Sequence, residues 1–556
     1  MRSPSAASRG IADDGTDAED ARPADGRAGA SAGGFLARAT LITAVLSVAG
    51  ALLGLGRDQA LAHFFGAGAA TDAFLVAWTV PEMASTLLVE DGMAFLLVPA
   101  FSAALARRAA GSVSPDPVRA LVAASLPRLS LAFAAVAAVL VAGAPLLVGV
   151  LAPGLSHPGL AVACTRLTAT CVLSFGLAGY CSAALRAHRS YLVPATIYVA
   201  YNAAIIATMV LLGQRWGVRS AALGVAFGGC LQAAVQAPFL WRRLAERPDG
   251  PAAGPRGDGA QPLTPAPALV LAVLLFALCR QSQVLIERHF ASLLPAGAMS
   301  HLNYAQKIGQ LPMSLALMLF VVTFPVLARA IAEGDMRRAR DRIERDLVMV
   351  SGIVLLGAAV ISACAPQIVH LLFQRGAFTV QDTAATAGVL RVYTLGLLGH
   401  TLVGALVRSY FSAGRTTWYP TGVMAVGMVA TAVISACTVG RWGACGIAAA
   451  NAAGITLTAV LLLRGLGSRS VAVRVRRVAA ELAVPVGAAA AAAAAGLVCA
   501  RPFSSPSAGL AAGCLGVLAV YLPLLWAFDV AGARSLAPAA LPTVRRLLTR
   551  KQGHGR

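Results

Sequence analysis

Residues 57–74 read RDQALAHFFGAGAATDAF. An apolar run that starts near Phe35 leads into this stretch, and a second one leaves it and continues to about residue 104. The small residues between Gly66 and Ala70 mark a turn. Each flanking run has more than the 18 or so apolar residues that a helix needs to cross a bilayer. Arg57, Asp58 and Asp72 therefore stand where two membrane-spanning segments meet, and the fold follows from extending that reading along the chain.

The composition agrees with it. Of 556 residues, 58% are hydrophobic and 12% charged, and the mean hydropathy is +0.73. A soluble globular chain carries about a quarter charged residues. Apolar runs broken by Pro, Gly and Arg give fourteen segments, near 35–57, 70–104, 127–151, 159–184, 191–213, 218–241, 265–291, 299–328, 346–373, 384–407, 417–438, 442–463, 478–499 and 507–530. The expected fold is an all-α polytopic membrane protein: two six-helix lobes plus a C-terminal helix pair.

The expected organisation is a disordered tail over 1–34, an N-lobe over 35–241, a linker over 242–264, a C-lobe over 265–464, a helix pair over 478–530 and a basic tail over 531–556. The linker, RRLAERPDGPAAGPRGDGAQPLT, has the Pro/Gly/charged composition of a flexible connection. Repeated helical halves with a substrate site between them are a common transporter plan. AGAATDAFLVAWTVP (67–81) and AGAMSHLNYAQKIGQLP (296–312) open the second and eighth segments with a weak internal likeness.

The net charge of +21 would point a soluble chain toward nucleic acid, but here the arginines fall in alternate loops. RR at 107–108, RRLAER at 242–247, RRARDRIER at 337–345 and RVRR at 474–477 all lie on one side. Far fewer lie on the other, among them Arg215, Arg219, Arg375, Arg441 and Arg501. The positive-inside rule places the rich side and both termini in the cytoplasm, and no nucleic-acid partner is expected. Ten cysteines sit singly inside apolar segments with no CxxC pair, which indicates neither a metal nor a redox site. With no nucleotide loop, nucleophile elbow or metal-ligand spacing, no enzyme activity or cofactor is expected.

Charged groups inside apolar segments carry the functional signal, because each costs about 2.5–3.5 kcal/mol at a helix centre on insertion scales. Lys307 lies two turns into the eighth segment, followed by Gln310, and reads as a cation facing a cavity. Arg280 lies mid-way along the seventh, where Glu287 and Arg288 follow and are expected to pair with each other. Arg391 fits a local salt bridge or a substrate role. Glu90 and Asp91 are further polar groups within the second segment. Arg57 and Asp58 fit an ion pair closing the first. Cations outnumbering anions around one interface point to an anionic substrate, phosphate above all, which arginine binds bidentately and lysine as a point charge.

These motifs resemble the MurJ/MviN family, the lipid II flippases of bacterial cell-wall synthesis. The resemblance rests on RDQALAHFFGAGAATDAFLVAWTVPEM (57–83), on FASLLPAGAMSHLNYAQKIGQLP (290–312), and on LLFQRGAFTVQDTAATAGVLRVYTLGLLG (371–399) followed by SYFSAGRTTWYP. It implies a flippase moving a polyprenyl-diphosphate-linked saccharide, lipid II foremost, from the inner to the outer leaflet by alternating access. The implied partners are that lipid-linked saccharide, the bilayer of the bacterial plasma membrane and cell-wall synthesis proteins. Membrane potential or an ion gradient would drive the cycle. By matching motifs, Arg57 and Lys307 take the places of two cavity cations, and Asp72 and Ser300, with Asp58 beside them, fall at the outer gate.

Two further family arginines are absent, since Ala51 and Ser85 stand at those positions, and Gln310 replaces an acid. Arg280 is the candidate replacement cation. The departures leave three rival readings open: a flippase for another lipid-linked glycan, a cation-coupled drug extruder, and a non-transporting cell-wall scaffold.

Overall fold

The computed structural model describes residues 25–90, 92–109, 116–245, 267–333, 335–411, 418–469 and 473–529. These residues form helices and short connections, with no strand among them. In chain order the helices are α1 (Asp25–Phe65), α2 (Ala69–Ala109), α3 (117–151), α4 (Pro158–Ala187), α5 (Leu192–Trp216), α6 (Arg219–Ala245) and α7 (Pro267–Ala291). There follow α8 (Ala298–Ala332), α9 (Met336–Phe373), α10 (Val380–Phe411), α11 (419–442), α12 (444–469), α13 (Val475–Ala500) and α14 (Pro506–Ala527). Gly443 separates α11 from α12 with a φ of +53°, a backbone conformation open to glycine and strained for other residues.

Ten helical stretches among the described residues are long and apolar enough to cross a membrane. Their outward surface is greasy: Leu131, Leu146 and Leu211 are each more than 70% exposed, at 73%, 74% and 76%. Water would penalise that surface and hydrocarbon does not. The chain is a multi-pass helical membrane protein.

Several boundaries differ from the sequence reading, among them the start of α3 at Pro117 rather than 127, the start of α9 at Met336 rather than 346, and both ends of α1. Helix α1 starts at Asp25 rather than near Phe35, because alanine-rich chain extends an existing helix without a new nucleation cost. It also runs on to Phe65, which places Arg57 and Asp58 about two turns inside the helix instead of at its end. Most of the expected linker falls outside the described residues, as do 1–24 and 530–556.

Helices α1–α6 pack on one another, as do α7–α12, and the two bundles meet chiefly where α2 touches α7 and α8. The pair α13–α14 packs against α9. Tyr521 of α14 donates its hydroxyl to the Gly352 carbonyl of α9 at 2.8 Å. At the Arg-rich end, Arg474 meets Glu344 at 2.7 Å and Asp341 at 2.8 Å, pinning the start of α13 to α9.

Prolines inside helices explain two polar contacts. A proline lacks the N–H that would bond the carbonyl four residues back, so Pro81 frees the Ala77 carbonyl of α2. The Thr168 hydroxyl of α4 donates to it at 3.0 Å. Beyond Pro81 the helix passes through a π turn over Ser85–Glu90. In α9, Pro366 likewise frees the Ser362 carbonyl beside a bend at Cys364, where φ is −111°. Arg391 of α10 donates its Nε to that carbonyl at 3.2 Å. Arg391 makes no ion pair with another described residue; its visible partner is a backbone oxygen that a proline left unpaired.

Replacing Thr168 by the near-isosteric valine strands the Ala77 carbonyl in the buried core. The expected cost is about 1–3 kcal/mol, read as a lower unfolding temperature of the purified protein in detergent.

Candidate functional site

The site begins at the turn that joins α1 to α2. Gly66 takes a φ of +64°, and its carbonyl accepts the Thr71 hydroxyl at 2.9 Å, closing the turn on itself. Asp72 then projects from the first turn of α2 across to the other bundle. Its carboxylate accepts the Gly297 amide at 2.6 Å, the Ser300 amide at 2.9 Å and the Ser300 hydroxyl at 2.5 Å.

The first N–H groups of a helix have no partner within it and carry partial positive charge. Asp72 supplies that partner for α8 from outside, as a capping residue would from within. Gly297 makes the approach possible with a φ of +100°. Asp72 and Ser300 are both buried. Nearby, the Ala377 amide donates to the His63 carbonyl at 2.9 Å, and the Tyr304 hydroxyl to the Gly66 carbonyl at 3.3 Å. The bundles are thus clasped at the end opposite the Arg-rich loops.

Two to three turns further along α2 lies a second layer, made of charge. Glu82 meets Nη2 of Arg288 at 3.0 Å and Nζ of Lys307 at 3.8 Å. Arg288 also donates to the Thr79 hydroxyl. One turn on, Gln281 of α7 donates to Thr86 of α2 at 3.1 Å. Each of these contacts joins α2 to α7 or α8, so the layer bridges the two bundles. The Arg288 side chain is 6% exposed, and those of Glu82 and Lys307 are 22% and 20% exposed, so the last two reach the adjoining space.

Glu287 makes no hydrogen bond or ion pair with Arg288: it turns into its own bundle to accept from Asn451 of α12, while Arg288 turns to Glu82 and Thr79 of α2. The Asn451 carbonyl oxygen in turn lies 2.9 Å from Nε2 of His400.

Of the sequence-derived residues, Asp72, Ser300 and Lys307 come together along this seam. Arg57 is held within its own bundle: Asp58 accepts from it at 2.7 and 3.0 Å, Asn202 at 3.2 Å, and its guanidinium lies 4.4 Å from the centre of the Trp78 ring. Asp58 is that arginine's counter-ion, and no hydrogen bond or ion pair links it to the clasp. Arg280 is exposed on α7, with no hydrogen bond or ion pair to another described residue. Glu90 is exposed beside the Ser85 hydroxyl at 3.4 Å, and Asp91 lies outside the described residues. Gln310 is half-buried on α8, one turn past Lys307.

Glu82 and Arg288 are the residues that reading the sequence passed over as a pair. The signal was available, since TVPEM places a carboxylate directly after a mid-segment proline. Its partner was hidden by a separation of 206 positions along the chain.

A sequence profile described as "Lipid II flippase MurJ" matches residues 61–507, most of the chain. The chain belongs to the MurJ family. The lipid II flippase MurJ of Burkholderia cenocepacia is 28% identical over 451 residues, spanning 78% of this chain and 84% of that one. A probable lipid II flippase MurJ of Rhizobium meliloti is 26% identical over 525 residues, spanning 90% and 94%. Among solved structures, a lipid II flippase MurJ in an inward closed conformation superposes with a TM-score of 0.71 at 18% identity, covering 89% of this chain and all (100%) of that one. An inward-facing multidrug transporter of the MATE family shares the fold more distantly, with a TM-score of 0.58 at 15% identity and coverage of 79% and 99%. The MurJ profile takes in both sides of the clasp, from Asp72 to Ser300.

Asp72→Ala removes three hydrogen bonds to a charged acceptor and leaves the Gly297 and Ser300 amides unpaired. Bonds to charged groups contribute about 1.5–3 kcal/mol each. In a cysteine-free background carrying Met299→Cys at the buried seam, the alanine variant is expected to raise the rate of maleimide modification about tenfold or more. Asp72→Asn keeps one acceptor oxygen and is expected to raise it less.

Proposed function

We propose that this protein is a lipid II flippase, carrying a polyprenyl-diphosphate-linked saccharide from the inner to the outer leaflet of a bacterial plasma membrane by alternating access. The observation that carries the reading is the order of the two layers along the bundle interface: a clasp at the Arg-poor face, and directly behind it a cluster in which cations outnumber anions. By the positive-inside rule the Arg-rich face and both termini lie in the cytoplasm. The Asp72–Ser300 clasp then closes the outer side, and the cationic layer is approached from the inside.

In this reading the diphosphate binds Lys307 and Arg280, with Arg57 fixing the wall contributed by the first bundle. Arg280 supplies the planar fork that suits phosphate, and Lys307 a point charge. The prenyl tail stays among apolar helices beside the α13–α14 pair. Nothing in the cycle requires a bond to be broken, so the protein works by binding and rearrangement. An inside-negative potential favours outward movement of an anionic headgroup by about 2.3 kcal/mol per charge per 100 mV, and an ion gradient can serve the return of the empty carrier.

Ala51 and Ser85, at positions where the family carries arginines, favour a second substrate within the same class, another lipid-linked glycan. Expression in a bacterium depleted of its own lipid II flippase separates the two. Restored growth is the expected result, with Lys307→Ala and Arg280→Ala each lowering it at equal membrane abundance. Failure of the unaltered chain to restore growth, despite normal insertion, rejects lipid II and leaves the other glycan.

A further inference from the structure

The charge layer behind the clasp contains a feature that the transport reading does not use: its cations are already occupied. Glu82 lies on α2, while Arg288 and Lys307 lie on α7 and α8, so every ion pair in the cluster crosses between bundles. The residue is well placed to let go. Arg288 is held at 3.0 Å and also bonds Thr79, but Lys307 is only loosely held at 3.8 Å. The Glu82 and Lys307 side chains are both partly exposed, so an anion entering the adjoining space can reach them.

We propose that Glu82 is an internal counter-anion, an ionic latch that the substrate's diphosphate displaces from Arg288 and Lys307, and that its displacement releases the seam between the bundles. The proposal rests on the diphosphate reading above. A carboxylate brings a single negative charge. A diphosphate brings more charge and several acceptor oxygens, enough to engage a guanidinium and an ammonium together. The exchange replaces a link between bundles with a link from one bundle to the ligand. That gives the ligand the differential affinity for the separated state without which no ligand shifts a conformational equilibrium. After release, Glu82 takes the cations back, so the empty carrier does not return with unpaired charge inside the membrane, where such charge is costly. An anion too weak to displace Glu82 would not trigger the cycle, which makes Glu82 a selectivity residue for diphosphate over monophosphate.

The test uses the full chain in lipid nanodiscs, cysteine-free except for spin labels at His157→Cys and Val380→Cys. Both positions are exposed on the clasped face, one in each bundle. Farnesyl diphosphate is the probe and farnesyl monophosphate the control. In the unaltered background the diphosphate is expected to lengthen the inter-label distance, and the monophosphate to leave it unchanged. Glu82→Gln is expected to raise the ratio of separated to closed molecules about tenfold without ligand, and to respond little further to the diphosphate. The double variant Glu82→Gln/Arg288→Gln removes the stranded buried charge and is expected to match the single one, so a folding defect cannot imitate the result.

An unchanged distance distribution in Glu82→Gln overturns the latch, as does an equal response to diphosphate with and without Glu82. The two readings fail separately. A diphosphate-driven shift in a chain that does not restore growth supports the latch and rejects lipid II. Restored growth with no shift rejects the latch alone.

Discussion

Hydrocarbon offers no hydrogen bonds, so a polar group that this chain carries into the membrane is costly unless it meets a partner inside the protein or reaches water. That constraint accounts for contacts that would look incidental in a soluble domain. The Ala77 carbonyl freed by Pro81 is met by Thr168, and the Ser362 carbonyl freed by Pro366 is met by Arg391. Arg57 has Asp58, Asn202 and the face of Trp78. Where the first bundle lacks a partner of its own, it reaches the second one, as Asp72 reaches α8 and Glu82 reaches α7. The inter-bundle seam is this constraint applied at the two ends of one helix segment.

The two layers of the seam differ in kind, and the difference matters for movement. The outer layer is a carboxylate on backbone amides, buried, with short bonds and fixed geometry. The inner layer is side chain to side chain, partly exposed, and long at Lys307. A ligand of higher charge can compete for side chains that move, but hardly for amides locked into a helix. The inner layer is therefore where a substrate can act, and the outer layer is what must open in consequence. The motif likeness between residues 67–81 and 296–312 gains a physical sense here. Both stretches begin helices at the clasped face, yet only the first carries the aspartate, and it caps the second.

Particular residues mark how far the sequence could be read. Asp72 stood out as a charge at a turn between two apolar runs, while Ser300 and the gate placement of both came from the resemblance of their motifs to the MurJ/MviN family. Lys307 was legible by its depth in an apolar run. The Arg57–Asp58 ion pair was legible as neighbours in sequence, but the other partners of Arg57 were not, since Asn202 lies 145 residues away and Trp78 on another helix. Arg391 was read as an ion-pair or substrate residue because a sequence shows a proline without showing which side chain repairs the carbonyl it frees. Glu287 and Arg288 look like a pair on paper, but each finds a partner on another helix, Asn451 for one and Glu82 for the other.

The sequence by itself determined the class: repeated apolar runs of spanning length, their alternation of charge, and the motifs that place the chain in the MurJ family. These are local properties, set by how many consecutive residues tolerate hydrocarbon and where glycine and proline interrupt them. The tertiary structure alone decided which charges face each other across the bundles. That Glu82 rather than a solvent ion holds Arg288 and Lys307, and that Asp72 caps a helix more than two hundred residues away, depends on how α2 lies against α7 and α8. Packing sets that placement, and packing is a property of the whole chain.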